Sequence, residues 1–272
     1  ARAVASQFEP ALARSDMHSR VNLAIALARI AERTRSLRLL PAVTQLLNDE
    51  SPAIVLWGLR AASPLVPGSA VAADARLIDL IIVTTTRFVE SGPIVAEAYA
   101  ALTSIPLDSP EGRNPAVVSR LVTALHQILD NRLAGYGAGS IPEPSADGRG
   151  VRFVTDFRVW ALVNADQRRT SIQYMAQLLA GVNAKLGDAI TSGRGASLDA
   201  QEYRQMLGVL GGSAVVLGEV VSRDGGAGAS ELPAAGQRLR GLTGGSTASQ
   251  IARDVSALLD ALRVAFPNAQ IP

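Results

Sequence analysis

Residues 37–62 read LRLLPAVTQLLNDESPAIVLWGLRAA. Two apolar stretches flank a polar break at Asn48, Asp49, Glu50 and Ser51. Before the break, Leu39, Leu40, Val43, Leu46 and Leu47 recur at helical spacing; after it, Val55, Leu59 and Ala62 share one helix face. Pro52 suits the first turn of the second helix, where its missing N–H leaves nothing unsatisfied. The stretch therefore predicts two helices joined by a short acidic loop.

The same arrangement returns 41 residues later. Leu77, Leu80, Ile81 and Thr84 precede a loop at Glu90, Ser91 and Gly92, and Ile94, Ala98, Ala101 and Leu102 follow Pro93. Pro64-Leu65 recurs as Pro106-Leu107, a shift of 42. Upstream, Arg14, Ser15 and Asp16 open a helix carrying Val21, Ala24, Ile25, Ala28 and Ala31. Downstream, Val118, Leu121, Val122, Leu125, Ile128 and Leu129 form a further helical stripe after Pro115.

On these residues, 37–62 resembles a HEAT repeat, and the resemblance extends over roughly residues 10–134. HEAT and armadillo repeats have periods of ~40–47 residues and stack helical pairs. The pattern departs from the HEAT family at residues 54–55, where its Val-Arg pair is missing, and its copies are few. The resemblance implies an irregular stack of helical pairs whose second helices line a face for a protein partner. That face would include Arg29, Arg33, Arg60, Glu97 and Trp57. Trp57 shares a side of its helix with Ile54 and Ala61, opposite Val55 and Leu59. Either the helix is buried on both sides or Trp57 lies on a partner surface, where Trp is enriched.

Composition agrees with an all-α fold. The 272 residues include 45 Ala and 33 Leu, strong helix formers, and only 4% aromatics. Residues 134–150 hold five Gly and two Pro and read as a linker, dividing a repeat part, 1–134, from a second part, 151–272. In the second part, Ile172, Met175, Leu179, Val182 and Leu186, then Tyr203, Leu207, Leu210, Ala214 and Leu217, then Ile251, Val255, Leu258 and Leu262 step by three and four residues. That period predicts a helical hairpin and bundle packed near-parallel. Gly208, Gly211, Gly212 and Gly218 within the second of these helices predict a close helix crossing. Residues 151–163 fit both a helix and a strand, and a helix is favoured.

The residue inventory narrows the chemistry. There is no Cys, so zinc ribbons, disulfide frameworks and thiol catalysis are excluded, while either redox compartment remains compatible. His18 and His126 stand alone in their helices, and metal sites need convergent ligands, so neither a metal nor a cofactor is expected. No Walker loop follows Gly137 or Gly244; Ser246 or Thr247 reads as a helix N-cap. Net charge is +2, and 25 of the 26 cations are Arg. Both halves are balanced, 13 basic against 12 acidic residues in each of 1–134 and 135–272, which disfavours a nucleic-acid partner. Arg29, Arg33, Arg35 and Arg38 cluster around one helix end, where cations complement the dipole. The longest uncharged runs, 170–184 and 205–218, fall short of the ~20 residues of a membrane span.

The sequence thus predicts a non-catalytic interaction or scaffold module with a protein partner. A second reading is an oligomer subunit joined through one of the heptad-spaced helices. A third is an enzyme with a site assembled from scattered acids and Arg.

Overall fold

The computed structural model describes residues 8, 10–12, 16–138 and 144–272, without the side chains of 137 and 138. It is all-α; no strand occurs among the described residues. The chain divides into two compact units, Ala1–Ile128 and Leu129–Pro272, and the division falls within the helix Pro115–Ala138.

In the first unit, α1 (Met17–Thr34) starts at Asp16, whose carboxylate accepts the Ser19 N–H at 3.0 Å. It ends at Arg35, which turns into the left-handed region at φ 48°. A 3₁₀ turn (Leu37–Leu39) leads into α2 (Leu40–Leu47), and α3 (Pro52–Ala62) follows the acidic loop. A second 3₁₀ turn (Ser63–Leu65) and the short α4 (Val66–Val71) connect to α5 (Arg76–Arg87) and α6 (Gly92–Leu102). α7 (Pro115–Ala138) begins the last stretch of this unit.

The helices pair as the repeat predicts. α2 packs on α3 and α5 on α6 within pairs; between pairs, α3 lies against both α1 and α6, and α2 against α5. Ile54, Val55, Leu59 and Ala61 of α3 are all fully buried, because that helix has a neighbour on each side.

Polar contacts join one pair to the next. Thr84 Oγ1 and Arg87 Nη2 of α5 donate to the Leu47 carbonyl at the end of α2, at 3.2 and 2.8 Å. Arg87 also donates to the Asp49 carbonyl at 2.8 Å. The Leu47 carbonyl, at the C-terminal end of α2, lacks a partner within its own helix, and a cation there complements the helix dipole. Asp49 accepts from the Ser51 N–H at 2.8 Å and pairs with Arg20 of α1. Ser104 Oγ reaches the Ser63 carbonyl, 41 positions back, at 2.8 Å.

The second unit contains α8 (Asp147–Val154), α9 (Phe157–Leu162), α10 (Ala165–Thr191), α11 (Leu198–Arg223), α12 (Glu231–Arg240) and α13 (Ala248–Ala265). Side chains of Asn164, Ser197 and Thr247 cap α10, α11 and α13 by accepting backbone N–H groups. α10 packs on α11 and α13, and α12 packs on α11 and α13. The stretch 151–163 is helical, split by a turn at Thr155 and Asp156.

Much of the stretch expected as a linker is structured. α7 continues to Ala138, residues 144–146 form a 3₁₀ turn, and α8 starts at Asp147. Residues 139–143 of that stretch lie outside the described residues. The physical reason is a buried ion pair. Arg132 and Asp147 are both 0% exposed and meet at 3.1 Å, and Tyr136 donates its hydroxyl to Asp147 at 3.0 Å. Glycine content pointed to a flexible connection, and side chains 15 residues apart override it.

Glycines on α11 divide into two groups. A Cβ on Gly211 would stand 2.5 Å from the Gly236 carbonyl oxygen, and one on Gly218 would collide with Pro233; both enforce the close approach of α12. Gly208 faces open space, and a Cβ at Gly212 would meet only the Arg240 side chain at 4.0 Å. The expected close crossing therefore belongs to Gly211 and Gly218 alone.

Pro52–Val71 and Leu198–Arg223 are long and apolar enough to cross a membrane by length and composition, which uncharged-run length did not reveal. Their apolar windows are 56% and 50% buried against the rest of the chain, as core helices are.

Candidate functional site

α3 and α6 are the second helices of successive pairs and α1 packs against α3; each of the three contributes polar residues to one shallow face of the first unit. Arg29 and Glu32 come from α1, Trp57 and Arg60 from α3, and Glu97 from α6. Together with Ala28, Ser63 and Pro64 they line an open depression of about 400 Å³. Arg60 is its hub. Its Nε donates to Glu97 Oε1 at 2.8 Å, and its guanidinium lies 4.5 Å from the centre of the Trp57 ring. Arg29 Nη1 approaches Glu32 Oε2 at 3.3 Å, with both side chains well exposed.

The structure thus brings together Arg29, Trp57, Arg60 and Glu97. Arg33 is exposed one turn beyond Arg29 and does not line the depression. Glu32, the acid between the two arginines in sequence, lines it as well. Trp57 resolves as half-buried. Ile54 and Ala61 on its side of the helix are fully buried, so the helix is covered on two sides while the indole edge stays at the surface.

Each cation on the face has an acid or a ring beside it, so the face carries alternating charge. Exposed pairs of this kind contribute ~0–1 kcal/mol to stability. Among the described residues no group of three or more His and acidic side chains is arranged to hold a metal ion. His18 is exposed, and burial lowers the pKa of His126 to about 4, so its imidazole is neutral at pH 7.

Comparison with solved structures finds a designed armadillo repeat protein at TM-score 0.52 and 15% identity, covering 96% of this chain and 99% of that one. The fold is an armadillo/HEAT-like helical repeat. A second solved structure, of an engineered protein, aligns at TM-score 0.48 and 15% identity over 97% of each chain. No family model and no curated protein matches the sequence. At that identity the similarity is one of backbone architecture. In this armadillo-like fold the second helices carry the Trp57–Arg60–Glu97 cluster.

Proposed function

We propose that the protein is a non-enzymatic interaction module that docks a protein partner on the face formed by α1, α3 and α6. The observation that supports this most directly is the cluster of Trp57, Arg60 and Glu97, drawn from two adjacent helical pairs. A half-exposed Trp with an Arg over its ring is the side-chain chemistry enriched at interface hot spots. A row of stacked pairs presents such clusters at regular spacing along one face.

The oligomer reading has less behind it. Ile172, Met175, Leu179, Val182 and Leu186 of α10 are fully buried within the chain, as are Leu207, Leu210 and Leu217 of α11 and Leu258 and Leu262 of α13. The heptad-spaced seams are thus used internally.

The test is site-specific photo-crosslinking in the source cell. A benzophenone amino acid at position 57 should trap a discrete partner band that Arg60→Glu abolishes. The same group at Val83, exposed on α5, should trap none. Equal trapping at both positions, or a band indifferent to Arg60→Glu, removes the face from the proposal.

A further inference from the structure

α11 carries a second face that the docking cluster does not use. Gly208 and Gly212 sit one turn apart in the middle of the helix, and each weakens a helix by ~1 kcal/mol relative to Ala. The chain itself forces neither, since nothing lies within 4 Å of a Cβ at Gly208 and one at Gly212 would meet only the Arg240 side chain, at an ordinary contact distance of 4.0 Å. On the same helix, Gly211 and Gly218 do have a reason: they seat α12 against the α11 backbone. The same device therefore occurs twice on one helix, once with its helix in place and once open.

The open copy floors a groove of about 820 Å³ between α8, α9, α11 and α12. Ser213 lines it, is only 3% exposed, and its hydroxyl has no hydrogen-bond partner. A buried polar group without a partner points to one supplied from outside. Phe157, 49% exposed, forms one wall. Arg152 and Arg240 stand at the rim, and neither has an ion pair among the described residues. The one acid lining the groove, Asp156, is already held by Arg158 at 2.8 Å.

We infer that this groove seats an acidic helix of a partner protein. Bare backbone at Gly208 and Gly212 admits a helix closely, as Gly211 does for α12. The two uncompensated arginines select carboxylates on its flanks. A second copy of this chain fits poorly, because pairing through the same ridge would bring Arg152 and Arg240 toward their own counterparts.

The probe is a fluorescein-labelled, N-acetylated 18-residue helical peptide with an Ala/Leu face flanked by Glu, compared with a sister peptide carrying Lys in place of Glu. Anisotropy titration of the full chain should show the acidic peptide binding about tenfold or more tighter than the basic one, by charge complementarity. Gly208→Leu fills the floor where space is open, so it should fold normally by circular dichroism and lose most of this binding. Arg152→Glu with Arg240→Glu should invert the preference. No binding of the acidic peptide, equal binding of the two peptides, or binding unaffected by Gly208→Leu would overturn the inference. So would a dimer in light scattering that Gly208→Leu dissolves, since the occupant would then be a second copy.

Discussion

Arg132 and Asp147 form an ion pair with no solvent exposure at all, 3.1 Å between Nη2 and Oδ2, and Tyr136 completes it with a hydroxyl hydrogen bond. Removing one partner leaves the other as a buried charge. Arg132→Met or Asp147→Leu should therefore destabilise the protein by about 3–5 kcal/mol, and the double variant by clearly less than the sum. Tyr136→Phe should cost about 1–2 kcal/mol, because it removes only a donor. Urea unfolding of the four variants measures all of this. Additive effects of Arg132→Met and Asp147→Leu would show that the pair is not coupled.

His126 links stability to pH. Burial lowers its pKa to about 4 in the folded chain, against an ordinary 6.5. The unfolded chain therefore takes up a proton that the folded chain refuses between those values. Above pH 6.5 the residue contributes no pH dependence. From pH 6.5 down to about 4, stability should fall, by up to about 3 kcal/mol from this group. The urea midpoint of His126→Leu should decline less steeply over that window than that of the parent; parallel curves would contradict the assignment.

The glycines of α11 should respond with opposite signs. Gly208→Ala meets open space and should stabilise by about 1 kcal/mol through helix propensity. Gly211→Ala places a methyl 2.5 Å from the Gly236 carbonyl oxygen and should destabilise by about 1–3 kcal/mol. Thermal melts of the two variants decide the matter, and a shared sign would refute the division of this helix into a packed and an open face.

Arg87→Ala withdraws the donor from the Leu47 and Asp49 carbonyls. The loss should be about 1–2 kcal/mol. Its signature is local: amide exchange at residues 44–52 should accelerate more than at α1. Uniform acceleration across the first unit would mean that Arg87 holds no particular junction.

The Arg60–Glu97 contact is exposed enough that Glu97→Ala should change stability by less than about 1 kcal/mol. The indole should report it instead. In a Trp160→Phe background, Arg60→Ala should alter the emission of Trp57, because the cation at 4.5 Å leaves its ring. Unchanged emission would show that the contact does not persist in solution.

The helical pairs were legible because a repeated pair needs the same apolar spacing each time. Pro52 and Pro93 both sit at the first turn of a second helix, as their 41-residue shift implies. The Trp57–Arg60–Glu97 contacts were partly legible for the same reason: equivalent helices place Arg60 and Glu97 on one face. Arg33, exposed one turn beyond Arg29, lies outside the depression, a distinction that periodicity alone does not make. The Arg132–Asp147 pair could not be read from sequence, since Gly and Pro content between the partners suggested that nothing joined them. Half of the glycine reading failed because a glycine's spacing along a helix does not say whether it faces a neighbouring backbone, as Gly211 does, or open space, as Gly208 does.

The junction at Leu47 has a consequence for how the protein is made. The last carbonyls of α2 receive their side-chain donors from Thr84 and Arg87, 37 and 40 residues further along. Domains synthesised on the ribosome fold from the N-terminal end. Here the α2–α3 pair leaves the exit tunnel with unfinished carbonyls and is completed by the α5–α6 pair that follows. Assembly at this junction is therefore directional, and a chain stalled between the two pairs presents an open rung.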